Sequence, residues 1–331
     1  MKKILLQLFE HKTLDREQAK QVLLDMSRNA FNEHEITAFM TVFLMRTITI
    51  EELQGFREAL LELCVKVDLD EFDAMDIVGT GGDGKNTFNI STLACFIVAG
   101  AGQKVAKQGN YGATSISGAS NVMQLLGYKF TNKTEQLKKE VDEAGICFMH
   151  APMFHPAMKT VAPIRKNLGV RTFFNMLGPL INPASPPNQL VGTFNLEMAR
   201  IYSYLLQLDN TRFTIVNSLD GYDEISLTSD AKVINQNGES IRTPFELGKR
   251  MVMAEDIGGG NSEEDAARIF KKVIGGGGTW AQNAVVLANA ALALHTTGKF
   301  GDYASSYSAA VASLESGAAQ TALDTLIALQ P

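Results

Sequence analysis

MDIVGTGGDGKNTFNISTLACFIVAGAGQKVAKQGNYGATSISGA, residues Met75–Ala119, carries two glycine-rich loops spaced about twenty residues apart. Ala74–Val78 reads as a strand leading into the first loop, and Ser91–Gly100 as the buried helix that follows. Lys104–Lys107 is a second short strand, leading into the second loop. Between Gly84 and Thr134 no acidic residue occurs, although the chain's 36 Asp and Glu would place roughly five in a window of that length. Five lysines stand there instead: Lys85, Lys104, Lys107, Lys129 and Lys133. Glycine turns at helix starts expose backbone N–H groups, and with cations and no carboxylate nearby they suit a multiply charged anion. The stretch reads as a polyphosphate cradle.

Working outward, Ile146–His150, Phe213–Val216 and Lys232–Ile234 continue the strand series. Strands alternating with helices argue for an α/β fold with a mixed, mainly parallel central sheet flanked by helices, binding ligands at strand C-terminal ends. Toward the N-terminus the pattern is helical. Asn32 precedes Glu33 and Glu35, and Thr49-Ile-Glu-Glu52 fits a capping box. Leu14, Ala19, Val22, Leu23 and Met26 form one apolar stripe, and Ile36, Phe39, Met40, Phe43 and Leu44 another. These stripes serve either an ordinary core or a dimer interface. Arg165–Pro187, with Pro179, Pro183, Pro186 and Pro187, interrupts the α/β pattern and reads as a crossing back to the helical part. The expected division is a small all-helical domain over residues 1–70, joined by a returning segment at about 165–187, and a larger α/β domain over residues 73–331. From Ser262 onward two or three helices are expected, the first capped at Asn261 or Ser262 and ended by Gly275–Gly278.

Composition narrows the setting. At 331 residues and 45% hydrophobic, the chain can bury a large core. A net charge of −6 argues against a nucleic-acid protein held by a basic face. Cys64, Cys95 and Cys147 are far apart and lack metal-site spacing, which suits a reducing cytosol. The apolar run in the opening MKKILLQLFEHK is broken by Gln7 and Glu10, too short for a signal sequence, and no apolar segment reaches the ~20 residues of a membrane span. A cytoplasmic protein with no membrane partner is expected.

Each motif admits a bland reading beside the chemical one. Gly79-Thr-Gly-Gly-Asp-Gly84 satisfies a dinucleotide fingerprint, but Gln103 and Lys104 stand where an acid should hold the ribose. It also misses a P-loop, because Asn86 replaces the magnesium-binding hydroxyl. Asn89-Ile-Ser-Thr92 offers hydroxyl and amide groups at a helix start, where phosphate is favoured. Asp223 and Glu224, in Asp220-Gly-Tyr-Asp-Glu224, are either a solvated acidic turn or a magnesium site that relieves two adjacent carboxylates. His150 and His155 read as structural histidines, whereas the guanidinium of Arg165 can grip a planar carboxylate through two hydrogen bonds.

Taken together, GTGGDGKNTFNIST at 79–92, HPAMKTVAPIRKNLGVRTFFNMLGPLINPA at 155–184, QLVGTFN at 189–195 and DGYDEIS at 220–226 resemble the anthranilate phosphoribosyltransferase family across nearly the whole chain. The resemblance implies a helical domain that dimerises, a larger α/β domain, and an active site in the cleft. It implies that Gly79, Gly82, Asp83, Thr87, Asn89, Ile90, Ser91 and Thr92 contact phosphoribosyl pyrophosphate or its metal. Lys107, Gln108, Gly109, Asn110, Tyr111, Gly112, Ala113, Thr114, Ser115 and Ala119 would complete that pocket. Ser91, Asp223 and Glu224 match the magnesium ligands, with two ions per subunit. Gly79, Asn110 and Arg165 match the anthranilate contacts, His155 lines the entry route, and Arg165, Asn110 and Lys107 are the catalytic candidates.

The second loop departs from the family pattern. Gln108 stands for the usual histidine and Tyr111 for an arginine, while Asn121 and Gln124 replace acids. Gln108 loses the option of positive charge, and Tyr111 removes a cation from the phosphate side. Two rival readings share the architecture. A pyrimidine nucleoside phosphorylase would carry a Lys-His-Ser-type loop and dispense with the acidic pair; a nucleic-acid-binding relative would need a basic groove and could lose the first loop.

Overall fold

The computed structural model describes residues 1–112, 115–209 and 211–330, and the chain divides into two compact units. The helical unit comprises Met1–Val67 and Ala151–Pro183. Its helices Arg16–Ser27, Glu33–Met45 and Ile50–Leu63 each begin with a reciprocal capping box, at Asp15, Asn32 and Thr49. Each box satisfies two orphan backbone donors locally, contributing about 1 kcal/mol. Gly55 lets two helices approach closely: a Cβ there would meet the Ala19 Cβ at 2.8 Å and the Lys20 nitrogen at 2.9 Å. Both apolar stripes are buried except at Leu44, which is exposed like its neighbour Met45.

The segment that returns to this unit is longer on its N-terminal side than Arg165–Pro187. It starts at Ala151 and stops at Pro183. Val65 N–H donates to the Phe154 carbonyl (2.8 Å) and Val67 N–H to that of Pro183 (3.2 Å), pinning both ends. Phe173 stacks on Phe56 with ring centroids 4.5 Å apart and meets Phe39 and Phe43 edge-on. Aromatic burial therefore recruits the segment into the helical core.

The α/β unit comprises Asp68–His150 and Ala184–Pro331. Its strands are β1 Met75–Gly79, β2 Val105–Gly109, β3 Ile146–His150, β4 Asn188–Gly192, β5 Arg212–Ser218, β6 Ala231–Asn235 and β7 Gly238–Arg242. They form one sheet in the order β3-β2-β1-β4-β5-β6-β7. The five from β3 to β5 run parallel, and the β6–β7 hairpin is antiparallel. Helices Ile90–Gly100 and Trp280–Thr296 are buried nearly all round, as expected of elements at the centre of a core. After Ser262, whose side chain caps the next helix, four helices follow rather than two or three: Glu263–Ile274, Trp280–Thr296, Tyr303–Glu315 and Ala318–Ala328. The extra break falls at Gly317, in left-handed conformation.

Candidate active site

Register sets the site. Met75–Gly79 pairs residue by residue with Asn188–Gly192, so Gly79 and Gly192 end adjacent parallel strands side by side. Neither position tolerates a side chain. A Cβ on Gly79 would collide with the Asp223 carboxylate, and one on Gly192 with the Asp223 carbonyl. The two glycines thus make room for the acidic turn at the C-terminal edge of the sheet.

The first loop wraps that turn. Gly81, Gly82 and Gly84 all have positive φ, which glycine adopts without strain. Gly81 N–H donates to Asp223 Oδ2 (2.6 Å), Thr87 Oγ1 to Glu224 Oε1 (2.8 Å) and Ser91 Oγ to Glu224 Oε2 (3.1 Å). Asp83 accepts from Lys85 N–H at 2.9 Å. Asn89 precedes the Ile90–Gly100 helix in left-handed conformation (φ 61°) and makes no capping bond with its side chain. The first turn, with Ile90, Ser91 and Thr92, therefore has no side-chain cap on its backbone N–H groups.

The second loop is tied to the first. Asn89 Nδ2 donates to the Ser117 carbonyl (2.9 Å), and Ile116 N–H donates to Asn86 Oδ1 (3.4 Å). Lys107, buried on β2, sends its ammonium to the Ile77 carbonyl of β1 at 2.7 Å. Gln108 is buried beside it, and Gly109 ends the strand against the Phe148 ring. Asn110, Tyr111, Gly112 and Ser115 follow, and Ala119 begins the next helix. Ala113 and Thr114 lie outside the described residues.

The electrostatics ask for a cation. Burial, with Asp83 alongside, pushes the Asp223 pKa up to about 7. Burial and then the charge of Asp223 push Glu224 up to about 8. Among the described residues no three His, Cys, Asp or Glu side chains form a ready-made metal cage. Two carboxylates with hydroxyl neighbours fit magnesium, which completes its shell with water and substrate phosphates. Thr80 Oγ1, Asn89 Oδ1 and Ser117 Oγ are buried without hydrogen-bond partners among the described residues, a further sign of a site shaped for a polar ligand. Of these, Asn89 is among the residues expected from the sequence; Thr80 and Ser117 are not, although both lie within the glycine-rich loops.

Arg165 and His155 belong to the helical unit. Arg165, on the Met158–Leu168 helix, lies over the Phe174 ring and donates to Asn175 Oδ1 at 3.3 Å. Burial alone pulls its pKa down, and no carboxylate among the described residues pairs with it. Burial lowers the His155 pKa to about 4, so the imidazole is neutral at pH 7.

Comparison with known proteins identifies the family. The model of a glycosyl transferase family a/b domain matches residues 71–320, and that of the family's helical bundle domain matches residues 2–64. Fold and site thus define a glycosyltransferase built of a helical bundle and an α/β domain. The anthranilate phosphoribosyltransferase of Flavobacterium johnsoniae is 58% identical over 299 residues, covering 90% of this chain and 91% of its own. That of Bacteroides fragilis is 53% identical over 329 residues, 99% of each chain. The crystal structure of the Thermus thermophilus enzyme superposes with a TM-score of 0.92 at 29% identity, covering 98% of both chains. The Saccharomyces cerevisiae enzyme in complex with phosphoribosyl pyrophosphate and magnesium gives 0.86 at 27% identity, over 95% of this chain and 92% of its own. The chain belongs to the anthranilate phosphoribosyltransferase family.

Proposed function

We infer that this chain transfers the 5-phosphoribosyl group of phosphoribosyl pyrophosphate to the amine of anthranilate, releasing pyrophosphate, the second step from chorismate to tryptophan. The observation that carries this reading is the wrapping of the first glycine loop, to which the second is tied, around the Asp223–Glu224 pair at the C-terminal ends of β1 and β4. A nucleoside phosphorylase would have no use for that pair.

The residues divide the work. The first-turn N–H groups at Ile90–Thr92, with Gly79, Gly82, Asp83, Thr87 and Asn89, receive the donor's phosphates or their metal. Lys107 brings its ammonium to the Ile77 carbonyl of β1, just before the first loop, and Gln108, Gly109, Asn110, Tyr111, Gly112, Ser115 and Ala119 would complete the donor pocket. Asp223, Glu224 and Ser91 would hold magnesium, two ions per subunit, which supplies neutralisation of the departing pyrophosphate. Arg165, a partly buried guanidinium with no carboxylate partner among the described residues, takes the carboxylate of the acceptor. Asn110 and Gly79 orient the acceptor, and neutral His155 lines its entry without competing for its charge. As the C1–O bond to pyrophosphate breaks, the sugar becomes oxocarbenium-like. The arylamine, neutral at pH 7, then forms the C1–N bond and sheds a proton. No strong base is needed before attack, so positioning and charge stabilisation carry the rate.

Leu6, Phe9, Leu44 and Met45, exposed on the helical unit, support a homodimer formed through that unit. Among the described residues no helix is long and apolar enough to cross a membrane, and cytoplasmic residence is proposed with the pathway. The test is loss of anthranilate fluorescence on adding donor and magnesium. Loss that proceeds equally without donor, or with inorganic phosphate in its place, would remove the assignment.

A further inference from the structure

We propose that Tyr111 and His150 form an aromatic latch that fixes Asn110 for the acceptor, making both of them positioning residues in the transfer; this rests on reading Asn110 as an acceptor contact. Asn110 leaves the end of β2 with its carbonyl held by Ser120 N–H at 3.0 Å. Its side-chain Oδ1 accepts from Tyr111 N–H at 2.8 Å, leaving the Nδ2 group as the donor toward a ligand. Both anchors converge on one residue. The Ser120 hydroxyl lies 2.8 Å from His150 Nδ1, and the Tyr111 ring meets the His150 ring edge-on at 4.8 Å between centroids. His150 is itself stacked on Phe130 at 4.4 Å and 15°. It is buried at the end of β3, whose Ile146–His150 pairs with Val105–Gly109, so it is a fixed point of the sheet.

Tyr111 is the exposed half, 45% exposed between Gly109 and Gly112. An exposed aromatic there needs a reason, and the edge contact with His150 and Phe130 gives one. Beyond the latch, Asn121 Oδ1 gathers Gly112 N–H (3.0 Å) and Gly118 N–H (2.9 Å). The loop's far side is thereby secured independently, so loss of the latch frees Asn110 without releasing the whole loop. A small misplacement of a substrate-orienting group is enough to lower catalysis greatly.

The test is steady-state kinetics of Tyr111→Ala, His150→Ala and their ring-retaining counterparts Tyr111→Phe and His150→Phe, with Asn110→Ala as reference and thermal midpoints for each. Tyr111→Ala and His150→Ala are expected to raise the acceptor KM about ten-fold or more while moving the donor KM less than about three-fold. Tyr111→Phe is expected to return the acceptor KM to within about two-fold of the parent, since the ring does the positioning. His150→Phe keeps the ring if the alanine variant fails to fold. Equal effects on both substrates, no effect, or a phenylalanine variant as impaired as Tyr111→Ala would overturn the latch. If Asn110→Ala leaves the acceptor KM unchanged, the reading of Asn110 falls and the latch falls with it. An impaired Asn110→Ala beside normal Tyr111→Ala and His150→Ala removes the latch alone.

Discussion

Replacing Arg165 by alanine should separate a binding residue from a structural one. Its guanidinium is partly buried, packs over Phe174, and has Asn175 as its hydrogen-bond acceptor at 3.3 Å, a long and neutral contact. Burial pulls its pKa down, so desolvation of the charge is only weakly offset in the free protein. A carboxylate from the acceptor would supply the missing charge-assisted pair, worth roughly 1.5–3 kcal/mol. Arg165→Ala should therefore raise the anthranilate KM by about ten- to a hundred-fold and leave that of the phosphoribosyl donor nearly unchanged. Because the lost group was weakly paired, the thermal midpoint should hold steady or rise slightly. Initial rates from anthranilate fluorescence, with each substrate varied in turn, together with a melting curve, give all three quantities. Equal KM increases for both substrates, or a melting point lowered by several degrees, would refute the reasoning and make Arg165 a structural cation.

Asp223→Asn and Glu224→Gln should each lower turnover at least about ten-fold and weaken the magnesium dependence, which rate measurements across a magnesium titration would reveal. Glu52 is buried and accepts from Arg46 at 2.5 and 2.9 Å and from Leu14 N–H at 2.9 Å. Burial alone would raise its pKa, but these bonds overcome it and hold the value below 4.5; Glu52→Gln should thus cost about 3 kcal/mol at pH 7 by thermal or urea unfolding. A depressed carboxylate pKa stabilises above the unfolded value, so the gap between parent and variant should close as pH falls below about 4.5. Met45→Glu, at an 83% exposed position, should shift the sedimentation coefficient from dimer to monomer if the helical unit mediates self-association.

What could be read from the sequence was mostly local. The helix starts at Asn32 and Thr49, the latter a capping box, rest on neighbours within three residues, and both stand in the structure. Strand β3 coincides with Ile146–His150, a run buried throughout. Strand β4 escaped because it opens with two amides after a proline-rich turn, a poor strand signal. Only the fold shows why they belong there: Asn188 is fully buried and donates to Asp73 Oδ1 at 3.1 Å. The glycine-rich loops themselves were legible, but the reason for Gly79 and Gly192 was not. It lies in the Asp223 turn, distant in sequence, which would collide with a side chain at either position. The return of the chain at Ala151 rather than 165 rests likewise on long-range contacts, Val65 to Phe154 and Phe56 to Phe173.

The most direct measurement is the stoichiometry of the reaction itself: purified protein, anthranilate, phosphoribosyl pyrophosphate and magnesium, with product mass and released pyrophosphate quantified together. One N-(5-phosphoribosyl)anthranilate for each pyrophosphate, at a rate abolished by chelating the metal, is the predicted result. Pyrophosphate without the adduct, or turnover of a nucleoside with inorganic phosphate instead, would contradict the account.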